Sequence, residues 1–423
     1  MATIITHTLQ NGLRIVAQPM DSLRSVSVGV WVRSGSLKEK EQEAGISHFI
    51  EHMLFKGTSS RSARQIAQEM DDIGAQMNAF TGKDSTCYYI KATSEYLAPV
   101  MEMLSDMLLH SQLDEEEMQK EKGVVMEEIL MAEDTPEDVA FELLARASFG
   151  AAPLAQPVLG SQQSVRAFTR QDLQSYMDRH YRAENMLIAV AGRFDEEQLV
   201  ALAEQYFASI APLAQPDAYP PTPPRLQKTI LTASKDIEQA HIALALPGYG
   251  SRDARYFPLA VLNNALGGYM SSRLFQRIRE QSGLAYSIYS FMQPSLDGGT
   301  LAIYAGTGAA QAGQLMEEVL DELRTLKAEG LSVEELSRSR NQIRGSLVFG
   351  NESSNARMNS IGKQTLLFGS ARTEEETLAL LDGVRMEDIE ALLPDVIDER
   401  ALCAGVVGRD EKALMDLAQL WGQ

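Results

Sequence analysis

The chain has 423 residues, 44% of them apolar and 23% charged, with 30 Gly and 15 Pro. This is ordinary globular usage, which excludes a collagenous, low-complexity or disordered chain. Its 38 Lys and Arg face 58 Asp and Glu, a formal net charge of −20, which excludes a nucleic-acid partner, since phosphate binding needs clustered basic charge, and favours cationic ones.

Residues 1–18 carry neither a basic region followed by an apolar stretch nor an Arg-rich amphipathic helix, so neither a secretory signal nor a transit peptide is expected. No run of about 18 apolar residues predicts a membrane span. Cys87 and Cys403 allow no disulfide framework and no CxxC zinc or redox motif, and a reducing, cytoplasmic location is the expectation. Asn11-Gly12, between apolar runs at 4–9 and 13–16, predicts a two-residue hairpin turn. Val26, Val28, Val30 and Val32 then alternate with Ser25, Ser27, Gly29 and Trp31, the period of a strand with one buried face.

A helix is predicted over 44–56, and it contains His-x-x-Glu-His: His48, Glu51 and His52. Positions i, i+3 and i+4 share one helical face, so two imidazoles can bind one zinc while the carboxylate between them reaches an attacking water. This is the inverted order of the HExxH zinc helix. Taken alone, the motif also fits a helix with two structural histidines. A second amphipathic helix follows, with Ala63, Ile66, Ala67, Met70 and Ile73 at helical spacing before Gly74. A hairpin is predicted over 76–92, then helices over 95–110 and 114–148, and a strand over 186–191. The stretch from Asp114 to Glu142 holds 12 acidic residues. Most such charges line a solvated face, but Glu121 and Glu128, seven apart and on one face, are candidates for the third ligand that a catalytic zinc requires.

Six of the 15 prolines fall within the 13 residues 212–224. Proline fixes φ and removes a backbone donor, so residues 212–227 are expected as a linker between domains at 1–211 and 228–423. The second half repeats the order of elements: a strand at 241–246, helices at 256–266 and 271–281, a hairpin at 285–305, helices at 309–328 and 332–349, and a closing strand at 401–407. The expected fold is therefore α+β, two similar domains from an internal duplication, each a mostly antiparallel sheet packed against helices. Aligning the segment starting at Leu113 with that starting at Leu331 sets Glu121 on Ser339 and Glu128 on Ser346, and no histidine follows His241. Chemistry in the first domain and scaffold in the second is the simpler account of that asymmetry.

HFIEHMLFKGT, followed 76 residues after His52 by Glu128 in EKGVVMEEILM, resembles the pitrilysin/insulinase family of inverted-zincin metallopeptidases, and the length resembles its mitochondrial-processing-peptidase-like subfamily with bacterial relatives. The resemblance implies one Zn2+ per chain held by His48, His52 and Glu128, with Glu51 as general base and Glu121 as a supporting carboxylate. It also implies an edge strand containing Asn78, Ala79 and Phe80 that pairs with substrate backbone, and an Arg279–Tyr286 pair that reaches substrate from the opposite half of a clamshell. The expected activity is a zinc endopeptidase acting on unfolded or short, basic peptides in an acidic chamber, as a homodimer or heterodimer. The rival expectation is an inactive scaffold subunit, which would require degraded zinc residues.

Overall fold

The computed structural model describes residues 3–213 and 226–410. The linker expected at 212–227 lies outside the described residues except for its ends, 212–213 and 226–227. The described residues form two compact units: the first comprises 3–129, 157–213 and 348–376, the second 130–156, 226–347 and 377–410.

The first unit is built on six strands: β1 (Ile5–Thr8), β2 (Arg14–Pro19), β3 (Ser25–Val32), β4 (Gln76–Thr81), β5 (Thr86–Thr93) and β6 (Met186–Gly192). Their order is β1-β2-β6-β3-β5-β4, antiparallel throughout except for β2 beside β6. The four valines of β3 face a core shared with Phe49, Ile50 and Met53 of α1 (Ile46–Leu54), Ile66 and Met70 of α2 (Ala63–Asp72), and Val100 and Leu104 of α3 (Leu97–His110). Trp31, Cys87, Leu187 and Ala189 face the other way and are covered by Met358, Ile361 and Leu366 of the helix Ser354–Phe368.

The second unit holds β7 (Thr229–Ser234), β8 (Gln239–Gly248), β9 (Ala285–Pro294), β10 (Gly299–Gly308) and β11 (Cys403–Gly408), in the order β7-β11-β8-β10-β9. Only β7 and β11 run parallel. This repeats the order β2-β6-β3-β5-β4 of the first unit, so the α+β duplication expected from the sequence is present. Each unit is completed by a helix from the other half of the sequence: Ser354–Phe368 covers the first sheet, and Ala140, Leu143, Leu144 and Ala147 cover Ala243, Ala245 and Cys403 of the second.

Three details differ from expectation. The helix expected over 114–148 is two, α4 (Glu115–Asp134) and α5 (Pro136–Phe149), because Pro136 has no N–H to donate and holds Thr135 extended. The predicted 271–281 helix is a π-helix over Phe275–Gln281, in which the Ser282 N–H reaches the Arg277 carbonyl five residues back. The first hairpin turns through three residues rather than two: Leu9 N–H donates to the Leu13 carbonyl, and Gly12 takes φ +93°.

Candidate metal centre

Helix α1 buries Ile46, Ser47, Phe49, Ile50, Met53 and Leu54, which turns His48, Glu51 and His52 out together on its remaining face. Helix α4 buries Met118, Glu121, Val125 and Ile129 and brings Glu128 to the same place. His48 Nε2 lies 3.7 Å and His52 Nε2 3.5 Å from Glu128 Oε2, and the three candidate donor atoms lie within 4.8 Å of one another. Three donors on one tetrahedral zinc, each about 2.0–2.2 Å from it, would sit about 3.3–3.6 Å apart. Two imidazoles and one carboxylate at this spacing therefore fit zinc, with one coordination position left open.

The electrostatics fit as well. Burial, reinforced by the charge of His52, pulls His48 down to about 4, so at neutral pH it is an uncharged imidazole. Burial also acts to lower His52, but its hydrogen bond to Glu121 and the charges of Glu128, Glu121 and Glu51 outweigh that and raise it. His52 Nδ1 donates to Glu121 Oε1 at 2.8 Å, which fixes the ring and leaves Nε2 as its donor toward an ion. Glu121 is 4% exposed, and its other oxygen accepts from Lys56 Nζ at 2.6 Å. Those two hydrogen bonds hold it below the usual carboxylate range in spite of burial. Glu51 is pushed the other way, up, chiefly by burial, and Thr81 Oγ1 donates to its Oε2.

Asn78, Ala79 and Phe80 lie on β4, an edge strand of the first sheet that pairs with β5, and the Ala79 N–H donates to the Asn78 side-chain oxygen at 2.8 Å. Asn78 and Phe80 point to one face and Ala79 to the other, and the Phe80 ring packs edge-on to Trp31 at 5.4 Å. Arg279 and Tyr286 are in the second unit, where the guanidinium stacks 4.8 Å above the Tyr286 ring and 4.6 Å above Phe275. Tyr286 is 80% exposed. Two contributors had no role assigned from sequence, Lys56 and Thr81. Lys56 lies one turn beyond His52, and Thr81 shares the face of Ala79 on β4, but neither spacing shows which carboxylate the side chain meets. Cys87 is fully buried, and its thiol is pushed well up by burial and, next, by the charge of Glu51. No helix among the described residues is long and apolar enough to cross a membrane.

A family model described as Insulinase (Peptidase family M16) matches residues 14–162, and one described as Peptidase M16 inactive domain matches 167–343. The chain is similar to the uncharacterized zinc protease YmxG of Bacillus subtilis, 43% identical over 93% of this chain and 95% of that one. It is 37% identical to an uncharacterized zinc protease of Streptomyces coelicolor, covering 95% of this chain and 88% of the relative. Among solved structures, a protease from Helicobacter pylori superposes with a TM-score of 0.89 at 20% identity, covering 96% of this chain and 99% of that one. A peptidase M16 inactive domain from Pseudomonas fluorescens gives 0.88 at 20% identity, covering 96% and 98%. At that identity the structural likeness speaks for the fold.

Proposed function

The chain belongs to the insulinase family, peptidase family M16, and from that premise we propose that it is a zinc endopeptidase of unfolded or short peptides. The observation that carries this reading is the convergence of His48, His52 and Glu128 on one point, with the carboxyl of Glu51 on the same helical face. Zinc, when bound, supplies Lewis acidity toward the scissile carbonyl and the attacking water. His48 and His52 present Nε2 and Glu128 presents Oε2 to the ion, while Glu121 keeps the His52 ring in place. Glu51 is the general base. Its Oε2 is occupied by Thr81, so Oε1 takes the water proton and returns it to the leaving amine. A raised carboxyl suits that double task, since a group that must both accept and release a proton works best nearer neutral pH.

The open edge of β4 would pair with the substrate backbone, and Arg279 and Tyr286 of a partner chain would hold the substrate or stabilise its oxyanion. The acidic chain favours basic peptides, and the two free, buried cysteines suit a reducing cytoplasm. Glu51→Gln tests the reading. The amide cannot accept the water proton, while both imidazoles and Glu128 remain. Metal analysis should find the wild-type content, and cleavage of a quenched basic peptide should fall by about 10²–10⁴-fold. Undiminished turnover at equal zinc content removes Glu51 from the role of base. A wild-type chain that neither holds zinc nor cleaves supports the scaffold reading instead, and one that holds zinc but cleaves nothing is a metal-binding protein without hydrolysis.

A further inference from the structure

Helix α1 begins without a cap of its own. Gly45, in the left-handed region at φ +87°, has no side chain to offer the first amides. Capping arrives from six residues upstream: Glu39 Oε2 accepts from the Gly45 N–H at 2.7 Å, and Glu39 Oε1 accepts from the Ser47 N–H at 2.9 Å. With both oxygens engaged by two amides of the same first turn, the carboxylate fixes rotation as well as position, and its charge faces the positive end of the helix dipole.

The segment carrying Glu39 is itself anchored. Ser36 N–H donates to the Gly82 carbonyl at 3.2 Å and Leu37 N–H to the Lys83 carbonyl at 3.0 Å, both on the turn between β4 and β5. The carboxylate therefore belongs to the sheet side and does not simply follow the helix. The helix start has little room to adjust, because a Cβ at Gly45 would lie 2.5 Å from the Leu159 carbonyl oxygen.

The rotation of α1 matters for what stands one turn further on. An imidazole nitrogen lies roughly 6 Å from the helix axis, so a turn of about 10° moves it by about 1 Å. His48 and His52 must both meet a carboxylate borne by a different helix, with separations of 3.7 and 3.5 Å. A shift of that size takes one of them out of range of a shared ion.

We propose that Glu39 is a positioning residue of the metal centre, whose carboxylate holds the first turn of α1 at the rotation where His48 and His52 both reach Glu128. The proposal rests on reading those three residues as metal ligands. It extends that reading to a residue outside the HxxEH motif and not in contact with the ion.

The test titrates Co2+ into the full-length apoprotein and reads its visible absorption and its affinity by chelator competition. Wild type should bind one ion with a tetrahedral spectrum. Glu39→Gln is isosteric but turns an amide NH2 toward one of the two helix amides; it should lose about tenfold in affinity and broaden or shift the bands, and Glu39→Ala should lose up to about a hundredfold. Asp195→Ala is the control for simple loss of a cap. Asp195 accepts from the Gln198 N–H at 2.8 Å at the start of the helix Glu196–Phe207, remote in sequence from every ligand. That variant should melt earlier and keep both affinity and spectrum. Glu39 variants that melt earlier but bind cobalt like wild type overturn the proposal, and Glu39→Gln alone decides it if Glu39→Ala does not fold. A wild type that binds no cobalt overturns the metal reading, and the proposal falls with it.

Discussion

Glu127 and Glu128 are neighbours with opposite surroundings. Glu127 is exposed, whereas Glu128 places an oxygen within 3.5 and 3.7 Å of the two imidazoles. Adjacent helical positions point about 100° apart, so only one of the pair can face His48 and His52. Glu128→Gln should therefore lower zinc occupancy sharply and Glu127→Gln should leave it near wild type, read by metal analysis after dialysis. The reverse result would shift the register by one residue and remove Glu121 from its place as well. The HxxEH spacing made His48, Glu51 and His52 legible in the sequence, because a helix period converts spacing directly into a shared face. Lys56 and Thr81 were not assigned, since each acts by touching another carboxylate, Glu121 or Glu51. Contacts of that kind depend on how α1, α4 and β4 come together, and no single period encodes that.

Between α1 and α2 the chain is held by one arginine. Arg61 reaches Asp106 at 2.7 Å, Glu69 at 2.8 Å and Glu102 at 2.8 Å, tying the loop after α1 to α2 and α3. Burial alone would raise Asp106, but hydrogen bonds from Arg61, Thr58 and Ser60 together with the Arg61 charge hold it below the usual range. A depressed carboxylate stabilises the fold above its unfolded value, about 3.9, and that stabilisation is lost as the pH falls through the lower folded value. Asp106→Asn should cost about 1.5–3 kcal/mol at pH 7, and the gap to wild type should narrow in urea melts taken below pH 4. The helices laid on the outer sheet faces rest on glycines. A Cβ on Gly362 would lie 2.3 Å from Trp31 Nε1, and one on Gly405 would lie 2.2 Å from the Ala140 carbonyl oxygen. Gly362→Ala and Gly405→Ala should each cost about 1–3 kcal/mol in thermal melts. Gly123→Ala, with nothing within 4 Å of its Cβ, should instead gain about 0.5–1 kcal/mol. Strands and inner helices were legible because period-two and period-3.6 burial is written in the residues themselves. The helix Ser354–Phe368 was not among the predicted elements, and its covering role was not legible either, since apolar residues do not say against which sheet they pack. The break at Pro136 was missed because the acidic helical pattern continues across it.

Acidity runs through the whole molecule, with 18 Lys and Arg against 31 Asp and Glu in residues 1–212, a balance of −13, and 20 against 27 in the remainder, a balance of −7. Both halves are net acidic, so the charge is available to act on what the protein binds. A catalytic chamber walled by such halves would concentrate cationic peptides, and cleavage of basic substrates should slow as salt screens the field, while neutral ones respond little. The proposed dimer adds a sharper expectation, because the metal residues and the Arg279–Tyr286 pair fall in different halves of the sequence. If each site is completed by the partner chain, an Arg279→Ala chain and a Glu51→Gln chain, each inactive alone, can complement one another. Of the two sites in a mixed dimer, one combines both defects and the other has Glu51 from one chain and Arg279 from its partner. With random exchange half of the molecules are mixed, so about a quarter of the wild-type sites should be intact. Activity of that order after mixing, absent from either variant alone, is the expected result. Mixed dimers detected by differently tagged chains but still inactive would mean that Arg279 serves the site of its own chain.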